Sequence, residues 1–517
     1  MANRHFDVVV IGGGPGGYVG AIRAAQLGYK VAIVDRAKLG GVCLNWGCIP
    51  SKALLSNAEL MEKLSHQEDW GLKIEGSVSF DWSKVIGRSR DVASKLNKGV
   101  EFLMKKNKVE HIVAHAKVLK GATDGSPCRI AIHDVSVEEE LTSAPVDVHG
   151  EKETITADRI VVATGSVARE LPNVPFDGDK VWGAREAMYN QEKPKKMVVV
   201  GSGAIGMEFT YFYRQFGTEI TVVEMQDRIL PVEDSDVSKA MLKTYKKMGV
   251  DFRLGSITTG VEKTDSGVKV TVAPFRDGSP VEAEAEVLEA DKVLVAIGVV
   301  GRTDGLFEDA LGIEMERGHI KTDYVPLNMT AAPMDPPALE YTTSVPGIYA
   351  IGDVIGAPWL AHVASEEAIL CVERFAVKDG KLDHEPHPLD YSVIPGCTYC
   401  QPQVASVGYT EDALKARGLK KGEDYEVGQF PFTALGKAIA SAHTDGFVKI
   451  IRGLPHGEVL GAHIMGDQAT ELIAEMSLAR RLEATSEDLI ATVHAHPTMH
   501  ESVHEAALAS ESRVIHM

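Results

Sequence analysis

Two segments of this chain repeat one pattern at one spacing, and no other feature limits the fold as strongly. Phe6 to Ile11 reads as a buried strand, Gly12-x-Gly14-x-x-Gly17 follows, and Ala21 to Leu27 continues as a helix closed by Gly28. A second strand from Lys30 to Val34 ends in Asp35. Lys196 to Val200 starts the same order again: Gly201-x-Gly203-x-x-Gly206, a helix through Gly217, then Glu219 to Val223 ending in Glu224. First glycine and acid are separated by the same 23-residue step in both copies. Strand, glycine turn, helix, strand, acid is the context that a dinucleotide needs. The glycines let backbone approach a pyrophosphate at a helix N-terminus, and the acid accepts hydrogen bonds from a ribose. A later stretch recurs too, as Ala157 to Gly165 with Thr164 near its end, and as Ala290 to Gly298. Two dinucleotide-binding modules are predicted.

Which nucleotide each module takes follows from charge. Glu224 suits a free ribose diol and repels a 2′-phosphate, and no arginine follows it until Arg228, so the second module should prefer NAD to NADP. Asp35 points to an adenosine diol in the first. A further strand, Gly347 to Ile351, runs into Gly352-Asp353, where the aspartate either contacts a long flavin dinucleotide or simply ends the strand.

At 517 residues the chain exceeds the size of one core, so two to four domains of a soluble globular protein are expected. A formal charge of −19 argues against a nucleic-acid partner, which needs a basic face. No apolar run approaches the roughly 18 residues of a membrane span, and the start lacks a signal-peptide pattern. Six cysteines do not make a disulfide framework in so long a chain and suit a reducing cytoplasm. Residues 56 to 107 read as helical, with Trp70 and Trp82 as packing residues. Strands and hairpins follow over 109–120 and 129–155, with a solvated acidic tip at Val137 to Glu140. The proline-rich stretch 325–338 reads as a surface excursion. From Tyr391 the texture becomes that of a separate α+β domain, with strands at Val404–Val407, Phe447–Ile451 and Val459–Ile464. A helix is expected over Ala469–Arg481, and another from Ser486 to the His496-Pro497 step.

Residues that carry chemistry stand apart from this frame. Cys43 and Cys48 lie just after the first nucleotide pattern, with a helix expected to start near Cys48, and a helix N-terminus stabilises a thiolate. By spacing they are either a redox pair or two buried small hydrophobes. Thr498-Met499-His500-Glu501 matches a capping box, so Glu501 closes a helix start, holds His496, or does both. Cys397-x-x-Cys400 has redox or half-zinc spacing but no second ligand pair nearby, so packed, reduced thiols and no metal are expected.

Several of these motifs together resemble the FAD-dependent pyridine nucleotide-disulfide oxidoreductases over nearly the whole chain. They are Cys43-Leu-Asn-Trp-Gly-Cys48-Ile-Pro-Ser-Lys52, Gly206-Met207-Glu208, Gly352-Asp353, Leu360-Ala361-His362 and His494-Ala495-His496-Pro497-Thr498. The resemblance implies an α/β fold with two Rossmann-like domains and a C-terminal α+β dimerisation domain. The expected segments are 1–168 for FAD and the disulfide, 169–298 for NAD, 299–389 as a central part completing the FAD site, and 390–517 for dimerisation. It also implies that Cys48 lies beside the flavin, that Cys43 exchanges with substrate, and that His496 with Glu501 is an acid-base pair contributed by the other subunit of a homodimer. Gly12, Gly14, Gly17, Asp35, Lys52, Ala116, Thr164, Gly165, Asp353, Leu360, Ala361 and His362 would contact FAD. Gly201, Gly203, Gly206, Glu208, Glu224 and Gly298 would serve NAD. The motifs are most similar to the branch that reoxidises dihydrolipoamide on lipoyl-bearing proteins of 2-oxo acid dehydrogenase or glycine cleavage complexes. Another disulfide or metal-ion reductase of the family, or a redox-sensing flavoprotein without turnover, are the alternatives. Trp46, Asp35, Met499-His500 and a long loop before Tyr341 depart from the family pattern without removing a needed group.

Overall fold

The computed structural model describes residues 4–123, 125–135, 149–325 and 339–517. The acidic tip at Val137 to Glu140 and the proline-rich residues 326–338 lie outside them. His5–Ile11 becomes the middle of the first sheet because Val8 to Ile11 are all buried, as in a strand covered on both faces. It pairs in parallel with Val31–Asp35 on one edge and with Glu151–Val162 on the other, and Glu110–Val113 extends the parallel part. Glu151–Val162 serves two partners on its far edge. Its first half takes the antiparallel strand Cys128–His133, and its end takes Ile348–Ala350 in parallel from far downstream. With His115–Lys120 the sheet has seven strands among the described residues.

The second sheet is wholly parallel, in the order Asp251–Leu254, Glu219–Glu224, Lys196–Val200, Lys292–Val295, Val181–Trp182. The sequence repeat is a packing repeat. Gly12 (φ +106°) presses on the Ala163 carbonyl and Gly201 (φ +99°) on the Ala296 carbonyl, so a Cβ at either glycine would overlap that oxygen. Gly17 and Gly206 likewise lie against the carbonyls of Gly12 and Gly201. The chain leaves the first module and returns to it through the antiparallel pair Ser166–Ala168 and Val299–Gly301.

The C-terminal part is an antiparallel sheet, ordered Gly396–Thr398, Val404–Gly408, Val459–Met465, Phe447–Gly453, Tyr425–Pro431, with the helices Ala469–Arg481 and Glu501–Ser510 against it. Lys449 locks this sheet to the second module. Its side chain is 0% exposed, and Nζ lies 2.8 Å from Asp234, 2.7 Å from Asp236 and 2.6 Å from Glu411.

Four local expectations need correction. The 56–107 stretch is two helices, Cys48–Ser65 and Trp82–Lys106, separated by a 3₁₀ turn and an extended segment. Trp82 packs among Phe212, Tyr213 and Phe216, but Trp70, which ends that turn just before Gly71, is 47% exposed. The helix from Ser486 stops at Ala491, where the β-branched pair Thr492-Val493 follows and Thr492 turns extended. The final helix starts at Glu501, and the Thr498 hydroxyl donates backwards to the Ala495 carbonyl instead of capping it. Among the described residues no helix is long and apolar enough to cross a membrane.

Candidate active site

The cysteine turn is docked on the first glycine turn. Gly40 (φ +99°) donates its N–H to the Gly13 carbonyl at 2.7 Å, and Gly41 (φ +57°) packs so closely on Gly14 that a Cβ would overlap its backbone. Gly41–Trp46 forms a short helix, Gly47 breaks it, and Cys48 opens the long helix to Ser65. Sequence reasoning missed the braces. The Asn45 amide donates to the carbonyls of Leu39 (3.1 Å) and Gly41 (3.0 Å), Arg90 donates to the Asn45 carbonyl (2.7 Å), and the Arg185 guanidinium lies 4.7 Å over the Trp46 ring. The Asn45 bonds stay within the turn, whereas the Arg90 and Arg185 contacts come from distant parts of the chain and have no local sequence signature.

Cys43 and Cys48 are partly buried free thiols joined by a hydrogen bond. That bond is the largest influence on both. It holds the Cys48 thiol below its ordinary value against the opposing effect of burial, with help from the Lys52 ammonium. The same bond, with burial, pushes Cys43 far up. The hydrogen bond thus favours the thiolate on Cys48 over the thiolate on Cys43. Lys52 lies one turn beyond Cys48, and its Nζ is 3.0 Å from both carboxylate oxygens of buried Glu208.

In both modules the strand-end acid folds back on its own glycine turn. Asp35 accepts from the N–H groups of Gly13 and, at 2.7 Å, Ala37, and burial raises its pKa. Glu224 accepts from the N–H and hydroxyl of Ser202 and from Gln226 N–H, each at 2.8 Å. Gly203 has no atom within 4 Å of where a Cβ would stand, and Gly14 meets only Gly41 there, at 3.9 Å. Arg302 follows the returning strand Val299–Gly301. Burial and the nearby Arg36 push it down to about 10, which Asp35 partly offsets. Two half-buried guanidiniums beside the first glycine turn fit an anionic dinucleotide. Arg302 had only its place after a strand as a signal.

The other residues expected to contact a nucleotide are held as follows. The Thr164 hydroxyl donates to the Arg302 carbonyl at 2.7 Å, and Gly165 (φ +70°) needs its positive φ. Asp353 accepts from Ser166 Oγ at 2.7 Å, with its pKa raised by burial. Leu360 caps the helix that begins at Ala361, and His362 Nε2 lies 3.1 Å from the Pro395 carbonyl. Ala116 is buried in its strand opposite Ile132, and Gly298 (φ +101°) accepts Arg169 N–H at 2.9 Å.

His496 and Glu501 form a separate centre. His496 Nδ1 lies 2.8 Å from Glu501 Oε1, and the histidine side chain is 81% exposed against 27% for the glutamate. Burial would raise Glu501, but hydrogen bonds from His496 and the Thr498 amide bring it below its ordinary value. Among the described residues no hydrogen bond or ion pair joins this centre to Cys43 or Cys48 in one chain. Nearby, Glu475 bridges His494 (2.7 Å) and His500 (2.8 Å). Cys397 and Cys400 are free thiols whose pKa values burial pushes up to about 11 and about 12, and neither belongs to a metal-ligating cluster among the described residues.

The chain is 43% identical over 512 residues to a dihydrolipoyl dehydrogenase of Rhizobium etli, covering 99% of each, and 42% identical over 512 residues to one of Zymomonas mobilis, again covering 99% of each. The crystal structure of LpdA from Mycobacterium tuberculosis superposes with a TM-score of 0.79 at 25% identity, covering 98% of this chain and 99% of that one. Residues 6–368 match the family described as pyridine nucleotide-disulphide oxidoreductase, and residues 394–507 match that family's dimerisation domain. The chain therefore belongs to the pyridine nucleotide-disulphide oxidoreductases.

Proposed function

We propose that this chain is an NAD-dependent dihydrolipoyl dehydrogenase, acting as a cytoplasmic homodimer that reoxidises dihydrolipoamide carried by lipoyl-bearing partner proteins. The free thiol pair Cys43–Cys48, docked on the first glycine turn, is the observation that carries this reading. Full-length similarity to dihydrolipoyl dehydrogenases and the dimerisation domain support it.

In the oxidised enzyme Cys43 and Cys48 share a disulfide. One thiol of dihydrolipoamide gives its proton to the partner's His496 and attacks the Cys43 sulfur, releasing Cys48 as a thiolate. Cys48 is the better leaving group, because Lys52 stabilises its charge. The second substrate thiol then attacks the mixed disulfide at the substrate sulfur, and its proton passes to the departing Cys43 sulfur. Lipoamide leaves closed and oxidised, and Cys43 is left as the thiol that donates to Cys48. Glu501 keeps a proton on His496 Nδ1, so that Nε2 is the base. The two electrons on the dithiol leave for NAD by way of FAD, the hydride chemistry those cofactors supply when bound. Asp35, Arg36 and Arg302 would hold the first dinucleotide and Glu224 the ribose of the second.

Reduction of another disulfide with NADPH is the competing reading. Glu224 stands against a 2′-phosphate, and Arg228, the nearest cation after it in sequence, is engaged with Asp412 at 2.6 Å. The deciding experiment compares NAD plus dihydrolipoamide with NADPH plus glutathione disulfide. Turnover only with the second pair, or undiminished dihydrolipoamide oxidation by Cys48→Ser, would overturn the proposal.

A further inference from the structure

The C-terminal domain places one of its own side chains in the redox site of the same chain, apart from the His496–Glu501 centre. Tyr399 follows the first strand of that domain, Gly396–Thr398. Its ring lies 4.2 Å beneath Lys52 Nζ, and its backbone N–H donates to Glu208 Oε1 at 3.0 Å. Lys52 in turn pairs with both oxygens of Glu208 at 3.0 Å. The ammonium is thus held from two sides by one residue: directly by the ring, and through the carboxylate that the Tyr399 amide fixes.

We propose that Tyr399 is a positioning residue for the thiol exchange, holding Lys52 at the height on its helix where the ammonium faces Cys48, one turn earlier. The proposal rests on the reading of Cys48 as the thiolate of the pair. A lysine has four rotatable carbons and a point charge, so an unbraced Lys52 would swing fully to Glu208 or out to water. A ring beneath the ammonium restricts it without neutralising it, since an aromatic face attracts a cation but accepts no proton. Tyr399 suits that role because its phenol, pushed up to about 12 by burial and by Cys397, stays neutral at working pH. Cys43, Lys52 and Glu208 are the charged or titratable groups that act on Cys48.

The test uses FAD-containing enzyme in a Cys43→Ser background, which leaves Cys48 as the only thiol of the pair and puts a serine hydroxyl, also a hydrogen-bond donor, where the Cys43 thiol stood. Labelling of Cys48 by iodoacetamide is followed by mass spectrometry between about pH 5 and pH 9. The remaining cysteines, 128, 371, 397 and 400, are all pushed up by burial and do not compete near neutrality. Tyr399→Leu keeps the backbone N–H but loses the ring, and should slow labelling at neutral pH about threefold and move the profile upward. Tyr399→Trp and Tyr399→Phe keep a ring and should retain the parent profile. An unchanged profile in Tyr399→Leu, or an equal shift in Tyr399→Phe, overturns the role. Should Tyr399→Leu fail to hold FAD, the Trp and Phe variants still decide, because a role for the hydroxyl would shift both profiles. A parent enzyme whose Cys48 labels only at the pH of an ordinary thiol would instead overturn the thiolate reading itself.

Discussion

Glu501 binds His496 with one oxygen and the turn before its own helix with the other: Oε1 is 2.8 Å from His496 Nδ1 and Oε2 accepts the Thr498 amide at 2.9 Å. The second hydrogen bond restrains the carboxylate, and the restrained carboxylate orients the imidazole. His496→Gln should therefore lose about 10²-fold or more in dihydrolipoamide oxidation while keeping FAD and melting temperature, because the side chain is largely exposed. Steady-state NADH formation and flavin content check it. Wild-type rates in this variant would remove His496 from the mechanism.

The two packing glycines should separate the two modules. Gly12→Ala drives a Cβ into the Ala163 carbonyl and should yield protein without FAD. Gly201→Ala meets the Ala296 carbonyl in the same way and should keep FAD but lose NAD affinity. Flavin absorbance and NAD titration read the two outcomes independently.

Glu224→Gln keeps the shape and loses the charge of an acceptor of three hydrogen bonds. KM for NAD should rise about tenfold, the loss of one charge-assisted hydrogen bond, and the disadvantage of NADP should shrink. Measured kcat/KM for both nucleotides tests this.

Removing the buried cation should be costly. Lys449→Met leaves Asp234, Asp236 and Glu411 facing each other and should cost about 3–5 kcal/mol at neutral pH. Burial alone would raise Asp234, but hydrogen bonds and attraction from Lys449, together with His463, bring it below its ordinary value. Its contribution is present above the unfolded value of about 3.9 and is lost as pH falls through the lower folded value. Lys449 itself is raised, so its contribution is full below about 10.4 and is lost only as pH rises through the folded value. The stability deficit of Lys449→Met should therefore narrow below about pH 4, which denaturant titration across pH would show.

Much of the fold was legible because its signals are local. A run such as Val8 to Ile11, a glycine turn and a following acid are read within one βαβ unit, and both copies fold as that pattern requires. The helix Ala469–Arg481 kept its expected ends. Where neighbouring residues compete, local reading failed: Thr498 turned its hydroxyl back to Ala495, and Trp70 stayed at the surface.

The sequence by itself determined the two nucleotide modules, the acids Asp35 and Glu224, and the candidate pairs Cys43–Cys48 and His496–Glu501, because each depends on short spacing and residue type. Only the tertiary structure decided how the thiol pair is biased, since the hydrogen bond from Cys43 comes first and the Lys52 ammonium, itself paired with Glu208 from a distant part of the chain, adds to it. It likewise decided that Arg302 stands beside Asp35 and that Lys449 joins two domains. Long-range electrostatics follow from where folded segments meet, and no local pattern in the chain encodes that meeting.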